Sequence, residues 1–217
     1  MKLRLGCDLD GTIADMEGAL QREAEQLFGS DVRLRPKGGQ HLEAPPDAEA
    51  STDESPAEPP ARGKSLTSRQ LRRLWAHVAT IENFWTTLTE IEPGSVARLA
   101  ELRTTQDVEI VFLTQRPATA GETTQLQSQR WLAAHGFDLP SVCVLGGSRG
   151  KAVAALHIDV VFDDRPENCL DVIGESRARP ILVWRDPVEL VPPGAARLGI
   201  DTVFSIDEAL RVLARAD

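Results

Sequence analysis

Five short apolar runs mark the chain: Leu3–Cys7, Glu109–Leu113, Ser141–Leu145, Asp159–Phe162 and Ile181–Trp184. Together they are rich in Val, Ile, Leu and Phe, and none alternates strictly between apolar and polar positions. Strands covered on both faces have this pattern, so the runs predict buried strands. Helical stretches lie between them: Pro93–Thr104, opening on a proline suited to a first turn; Ala118–His135, stopped by Gly136; Pro166–Ala178; and Ser205–Ala214, with Ser205 and Glu208 spaced as a capping box. Strand and helix in repetition predict an α/β, Rossmann-like parallel sheet with right-handed crossovers, flanked by helices.

One region breaks the rhythm. After the first run the next waits until residue 109, and residues 15–90 fill the gap. Helical patterns appear at Met16–Phe28 and Thr67–Thr80, followed by the aromatic pair Phe84-Trp85. Between the helices, residues 35–64 hold six prolines, and residues 38–61 carry six acids without a lysine or arginine. Such a segment cannot bury enough apolar area to offset its ordering entropy, and it is expected to be a disordered loop. The expected domains are therefore an α/β core at 1–14 and 91–217, with a small helical cap at 15–90 inserted after the first strand.

Composition narrows the function. Apolar residues make up 41% of the 217, enough for a real core. The net charge of −9 argues against coating a nucleic-acid polymer, and the acidic loop supplies six of those charges. Three cysteines, Cys7, Cys143 and Cys169, have no paired spacing and fit small core residues in a reducing compartment. The four histidines, His41, His77, His135 and His157, show no ligand spacing. No stretch is long and apolar enough for a signal peptide or a membrane span, and the expected location is the cytoplasm. Oligomeric state is not legible.

The chemistry concentrates at the expected strand ends. Asp8-Leu9-Asp10-Gly11-Thr12 leaves the first run, and ligands bind beyond the carboxyl ends of parallel strands. Two carboxylates this close call for a cation, and oxygen ligands suit Mg²⁺. Thr114 follows the second run, Lys151 the third, and Asp163-Asp164 the fourth. Gly146-Gly147-Ser148-Arg149-Gly150-Lys151-Ala152 is a poor phosphate loop: its glycine spacing is one short, and Ala152 replaces the metal-binding hydroxyl.

Asp-x-Asp-Gly-Thr, then Thr, then Lys, then Asp-Asp, in that order, resembles the haloacid dehalogenase superfamily. The second half, with Asp163-Asp164-Arg165-Pro166-Glu167-Asn168 after a buried strand, resembles its 5′(3′)-deoxyribonucleotidase branch. The resemblance implies a phosphatase acting on a small phosphorylated substrate such as a nucleoside monophosphate. Asp8 would be the nucleophile and Asp10 the acid/base, with Thr114 and Lys151 on the phosphate. Mg²⁺ would be held by Asp8, the Asp10 carbonyl and the Asp163/Asp164 pair, with Asp164 direct and Asp163 supporting. Phe84, Trp85, Arg116 and Arg165 are candidates for the substrate pocket; for Phe84 and Trp85 a core position joining cap to sheet is the favoured reading, and Arg165 is equally compatible with an exposed position. The rival reading is a non-enzymatic phospho-aspartate signalling module. Such modules place their acidic pair first and the phosphorylated aspartate later, the reverse of the order here.

Overall fold

The computed structural model describes residues 2–34 and 65–214. The segment expected to be disordered, 35–64, with His41, lies outside the described residues. Six strands form one parallel sheet: β1 (Leu3–Asp8), β2 (Val108–Thr114), β3 (Ser141–Val144), β4 (Val160–Asp163), β5 (Arg179–Val183) and β6 (Asp201–Val203). Their spatial order is β3-β2-β1-β4-β5-β6. The order reverses between β1 and β4, which opens a crevice at their carboxyl ends. Five strands match the apolar runs. The sixth, only three residues at the sheet edge, is too short to show a pattern.

Eight helices surround the sheet among the described residues: α1 (Met16–Phe28), α2 (Ser68–Thr80), α3 (Ser95–Thr105), α4 (Thr124–Ala134), α5 (Arg149–Ala155), α6 (Pro166–Glu175), α7 (Pro193–Arg197) and α8 (Ile206–Ala214). Alternate strand residues feed opposite layers. Leu5, Cys7, Phe112, Phe162, Ile181 and Val183 join one core with residues of α1, α2, α3, α4 and α8. Leu113 and Val161 pack instead with Val153 and Val172 of α5 and α6, and Leu182 with Cys169 and Ala195. Both faces are buried, which is why the runs show no alternation.

Helix boundaries follow their caps. Thr67 and Gln70 close a reciprocal capping box at the start of α2. Thr123 accepts from Leu126 N–H, so α4 begins at Thr124 rather than Ala118. Pro93 is not in a first helical turn: α3 starts at Ser95, and the Glu90 carboxylate takes the N–H groups of Gly94 (2.7 Å) and Val96 (2.8 Å). Ser205 accepts from Glu208 N–H (3.1 Å), while the Glu208 carboxylate turns back to Phe204 N–H (2.7 Å).

The helices α1 and α2 pair through Leu20, Ala24, Leu74 and Val78, joined by His77–Glu23 at 3.0 Å. Their apolar faces belong to the same continuous core as the sheet. No described helix is long and apolar enough to cross a membrane.

Candidate functional site

Asp8 is the last residue of β1 and is nearly buried. The chain then closes a tight turn in which Ile13 N–H and Ala14 N–H both donate to the Leu9 carbonyl (2.9 and 2.7 Å). Gly11 makes this turn possible in two ways. Its φ is +85°, open to glycine at little cost, and a Cβ there would lie 2.1 Å from Asp164 Oδ2. The Asp164 carboxylate, from the end of β4, therefore rests against the backbone of the Asp8–Thr12 turn. Asp8, Asp10 and Asp164 all line one cavity of about 520 Å³.

The cation against Asp8 is Arg149, not Lys151. Arg149 Nη2 lies 2.6 Å from Asp8 Oδ1, and its Nε lies 3.0 Å from Asp163 Oδ2. Its Nη1 is buried and has no hydrogen-bond partner among the described residues, although the side chain lines the cavity. Lys151, two residues on in α5, is exposed and does not line the cavity. Residues two apart on a helix face opposite sides, so one of the pair must point away. The backbone sets which. Ser148 caps α5, and Asp171 of α6 accepts from Ser148 Oγ (2.9 Å) and Gly150 N–H (2.8 Å). A Cβ at residue 150 would meet the Asp171 carbonyl at 2.1 Å, so only glycine permits this approach of α5 to α6.

Asp10 is gripped from behind. Arg116 donates from Nε (2.8 Å) and Nη2 (2.7 Å) to its two oxygens, and Thr114 Oγ1 donates at 3.1 Å. The Arg116 side chain is fully buried, lies 4.9 Å from the Trp85 ring centroid, and also donates to Ser128 Oγ (2.9 Å). Thr114 is itself buried and faces Asp10 rather than the cavity.

Asp163 is taken up by its neighbours: Arg165 N–H (2.9 Å), Asn168 Nδ2 (3.0 and 3.1 Å) and the Arg149 ion pair. Arg165 lines the cavity. Phe84 and Trp85 do not. Both are buried core residues in a 3-10 turn, with Trp85 Nε1 donating to the Pro117 carbonyl (2.9 Å). Neither has a face open to a substrate, so both take the favoured core position and not the pocket one. The apolar walls come instead from Met16, Trp75, Ile91 and Trp184.

Electrostatics mark this as a strained anionic site. Burial pushes the Asp8 carboxyl well above its ordinary range, opposed by Arg149 and reinforced by Asp163 and Asp10. Burial also raises Asp164, with the charges of Asp8 and Asp163 adding to it. Burial alone would weaken the Arg149 charge, but Asp163 and Asp8 outweigh it and hold the guanidinium firmly protonated. Cys7 and Cys169 are pushed up by burial and by neighbouring acids, so neither is a thiolate nucleophile.

Four carboxylates (Asp8, Asp10, Asp163, Asp164) face two buried guanidiniums (Arg116, Arg149). Were all four ionised, they would exceed the two guanidiniums by two charges, with Arg165 also acting on Asp164. All the carboxylate donors are hard oxygens, which fits Mg²⁺. Among the described residues no three acidic, His or Cys side chains already form a cage. Mg²⁺ needs none, since it keeps several waters and takes one or two carboxylates.

Sequence reading missed Arg149 and Arg185. The signal for Arg149 lay in view, in Ser148-Arg149-Gly150, where an N-cap precedes a guanidinium.

No protein-family model matches the chain, and no curated protein is significantly similar to it. Among solved structures, a HAD family hydrolase from Deinococcus radiodurans R1, with bound phosphate and sodium, is similar over 100% of this chain and 96% of that one. The TM-score is 0.55 and the identity 17%, a likeness of fold.

Proposed function

We propose that this chain is a Mg²⁺-dependent phosphomonoester hydrolase of the haloacid dehalogenase superfamily. The reading is carried by one observation: Asp8, Asp10, Asp164 and Arg149, brought from three separate strand ends, converge on one cavity at the point where the sheet order reverses. The similar fold of a hydrolase holding phosphate supports it.

In the proposed reaction an Asp8 oxygen attacks phosphorus and the ester P–O bond breaks. Asp10, entering the cycle as the neutral acid with one oxygen turned from Arg116 to the leaving group, gives its proton to that oxygen. Asp10 then takes a proton from water, whose oxygen attacks phosphorus and releases inorganic phosphate from Asp8. Thr114 and Arg116 hold the carboxylate that results, placing it for the proton it takes from water. Arg149 Nη1, buried without a hydrogen-bond partner among the described residues, is the donor for a phosphoryl oxygen. Asp8, Asp164 and the Asp10 main-chain carbonyl would hold Mg²⁺, with Asp163 in support. Bound there, the metal supplies charge stabilisation for the transferring phosphoryl group. The helices α1 and α2 act as the cap.

The cavity of about 520 Å³ suits one small molecule. Indole walls at Trp75 and Trp184 favour a nucleoside monophosphate or similar small phosphoester. The proposed setting is cytoplasmic, without a membrane or nucleic-acid polymer as partner.

A panel of deoxynucleotides, sugar phosphates and p-nitrophenyl phosphate, with and without Mg²⁺, tests the reading. Metal-dependent release of phosphate is expected from at least one. Asp8→Asn should abolish it, and Asp10→Asn should lower it about 10²–10⁴-fold, the usual share of acid–base catalysis. Near-normal turnover by Asp8→Asn would rule out the covalent route.

A further inference from the structure

Arg185 lies two residues beyond β5, yet it reaches the Asp8–Thr12 turn two strands away. Its Nε donates to the Gly11 carbonyl (3.3 Å), and Nη2 makes a short hydrogen bond to the Thr12 carbonyl. Its Nη1 meets Glu92 Oε1 at 2.5 Å. Glu92 in turn accepts from Ile206 N–H at the start of α8 (2.9 Å). One guanidinium thus ties the turn to the loop before α3 and, through Glu92, to α8.

The turn requires such a partner. Its internal hydrogen bonds end on the carbonyls of Leu9 and Ala14, and the carbonyls of Gly11 and Thr12 are taken up by Arg185. Gly11, at φ +85°, stands between Asp10 and Thr12 and has no side chain to fix the turn. An external anchor on its carbonyl holds the main chain that carries Asp10 away from the end of β1. Arginine suits the task because its planar fork meets two carbonyls at fixed spacing, while Glu92 balances its charge; a lysine ammonium is a point donor on a loose stem.

We propose that Arg185 is a positioning residue, which fixes the main chain of the turn that presents Asp8 and Asp10. The inference rests on the phosphohydrolase reading for its kinetic consequence, but not for its structural one. A misplacement of about 1 Å is enough to cost roughly 100-fold in rate.

The test compares wild type, Arg185→Met and Arg185→Lys on the best phosphoester of the panel, alongside hydrogen–deuterium exchange of the amides of residues 9–14. In Arg185→Met, kcat should fall about 10–100-fold with KM changed less than about threefold, and the turn amides should exchange faster. Arg185→Lys should fall between Met and wild type on both. Arg185 also lines the cavity, so a raised KM at unchanged kcat would make it a substrate contact and overturn the proposal. A lower melting temperature with unchanged kcat would overturn it too, leaving a purely structural residue. If the wild type hydrolyses nothing, the phosphohydrolase reading fails, and the exchange comparison still decides whether the clamp exists: unchanged exchange in Arg185→Met refutes it. Should Arg185→Met not fold, Arg185→Lys carries both readouts.

Discussion

At the scale of single residues, the site turns on which of two cations enters it. Arg149 is 3% exposed and paired with Asp8, while Lys151 faces solvent. Arg149→Met should therefore lower kcat about 100-fold or more, the usual cost of one oriented charge on a developing anion, whereas Lys151→Ala should stay within about twofold. Steady-state kinetics of the two variants on one substrate checks this, and the opposite ranking would return Lys151 to the site. Gly11→Ala is a second residue-scale test. A methyl there meets both Asp164 Oδ2 at 2.1 Å and an unfavourable φ, so stability and turnover should fall together. The aspartates were legible in the sequence because their spacing and position after apolar runs carry the signal. The choice of Arg149 over Lys151 was not, since it depends on how α5 is rotated. The core position favoured for Trp85 is the one it takes, but its partners Pro117 and Gln127, 32 and 42 residues away, were not legible.

At the scale of elements, α5 aims Arg149, and α6 aims α5. Ser148 caps α5, and its removal by Ser148→Ala should cost about 1 kcal/mol in urea unfolding. Asp171 braces the same end. Its pKa is lowered, first by the Gly150 N–H and also by the Ser148 hydroxyl, which together outweigh the opposing effect of burial. A carboxylate favoured by the fold adds stability above its unfolded value of about 3.9, and that stability is lost as pH falls through the lower folded value. Asp171→Asn should thus unfold at lower urea than wild type near neutrality, and the gap should close in acid below about pH 4. A gap independent of pH would show that the charge of Asp171 is irrelevant. Strands and long helices were legible here because burial on both sheet faces leaves unbroken apolar runs. The edge strand β6 and short α7 were not, as three and five residues hold no periodicity.

At the scale of the whole molecule, the sheet gathers more negative charge than its arginines balance. Asp8 and Asp164 have raised pKa values, so the fold favours their neutral forms. Their contribution to stability is complete below the unfolded value of about 3.9 and is lost as pH rises through the folded values. A divalent cation should reverse that loss. Mg²⁺ at 100 times its Kd should add about 2.7 kcal/mol, or roughly 5–10 °C in Tm, at pH 8 and distinctly less at pH 5. Thermal melts at both pH values, with and without Mg²⁺, check this, and an unchanged Tm at pH 8 would remove the metal from the site. The topology was legible as a repetition of strand and helix, and Arg116 as a pocket candidate; the distribution of charge was not, because Arg149 looks like an ordinary surface residue until the sheet encloses it. The strand order carries one more implication. Asp164 comes 156 positions after Asp8, and β1 is flanked on one side by β2 and on the other by the much later β4. A ribosome adding 5–20 residues per second makes Asp8 roughly 8–30 s before its distant carboxylate neighbour exists. On the proposed reading, the nascent protein would for that interval hold its nucleophile without the second carboxylate of the metal site, and could not yet hydrolyse a phosphoester.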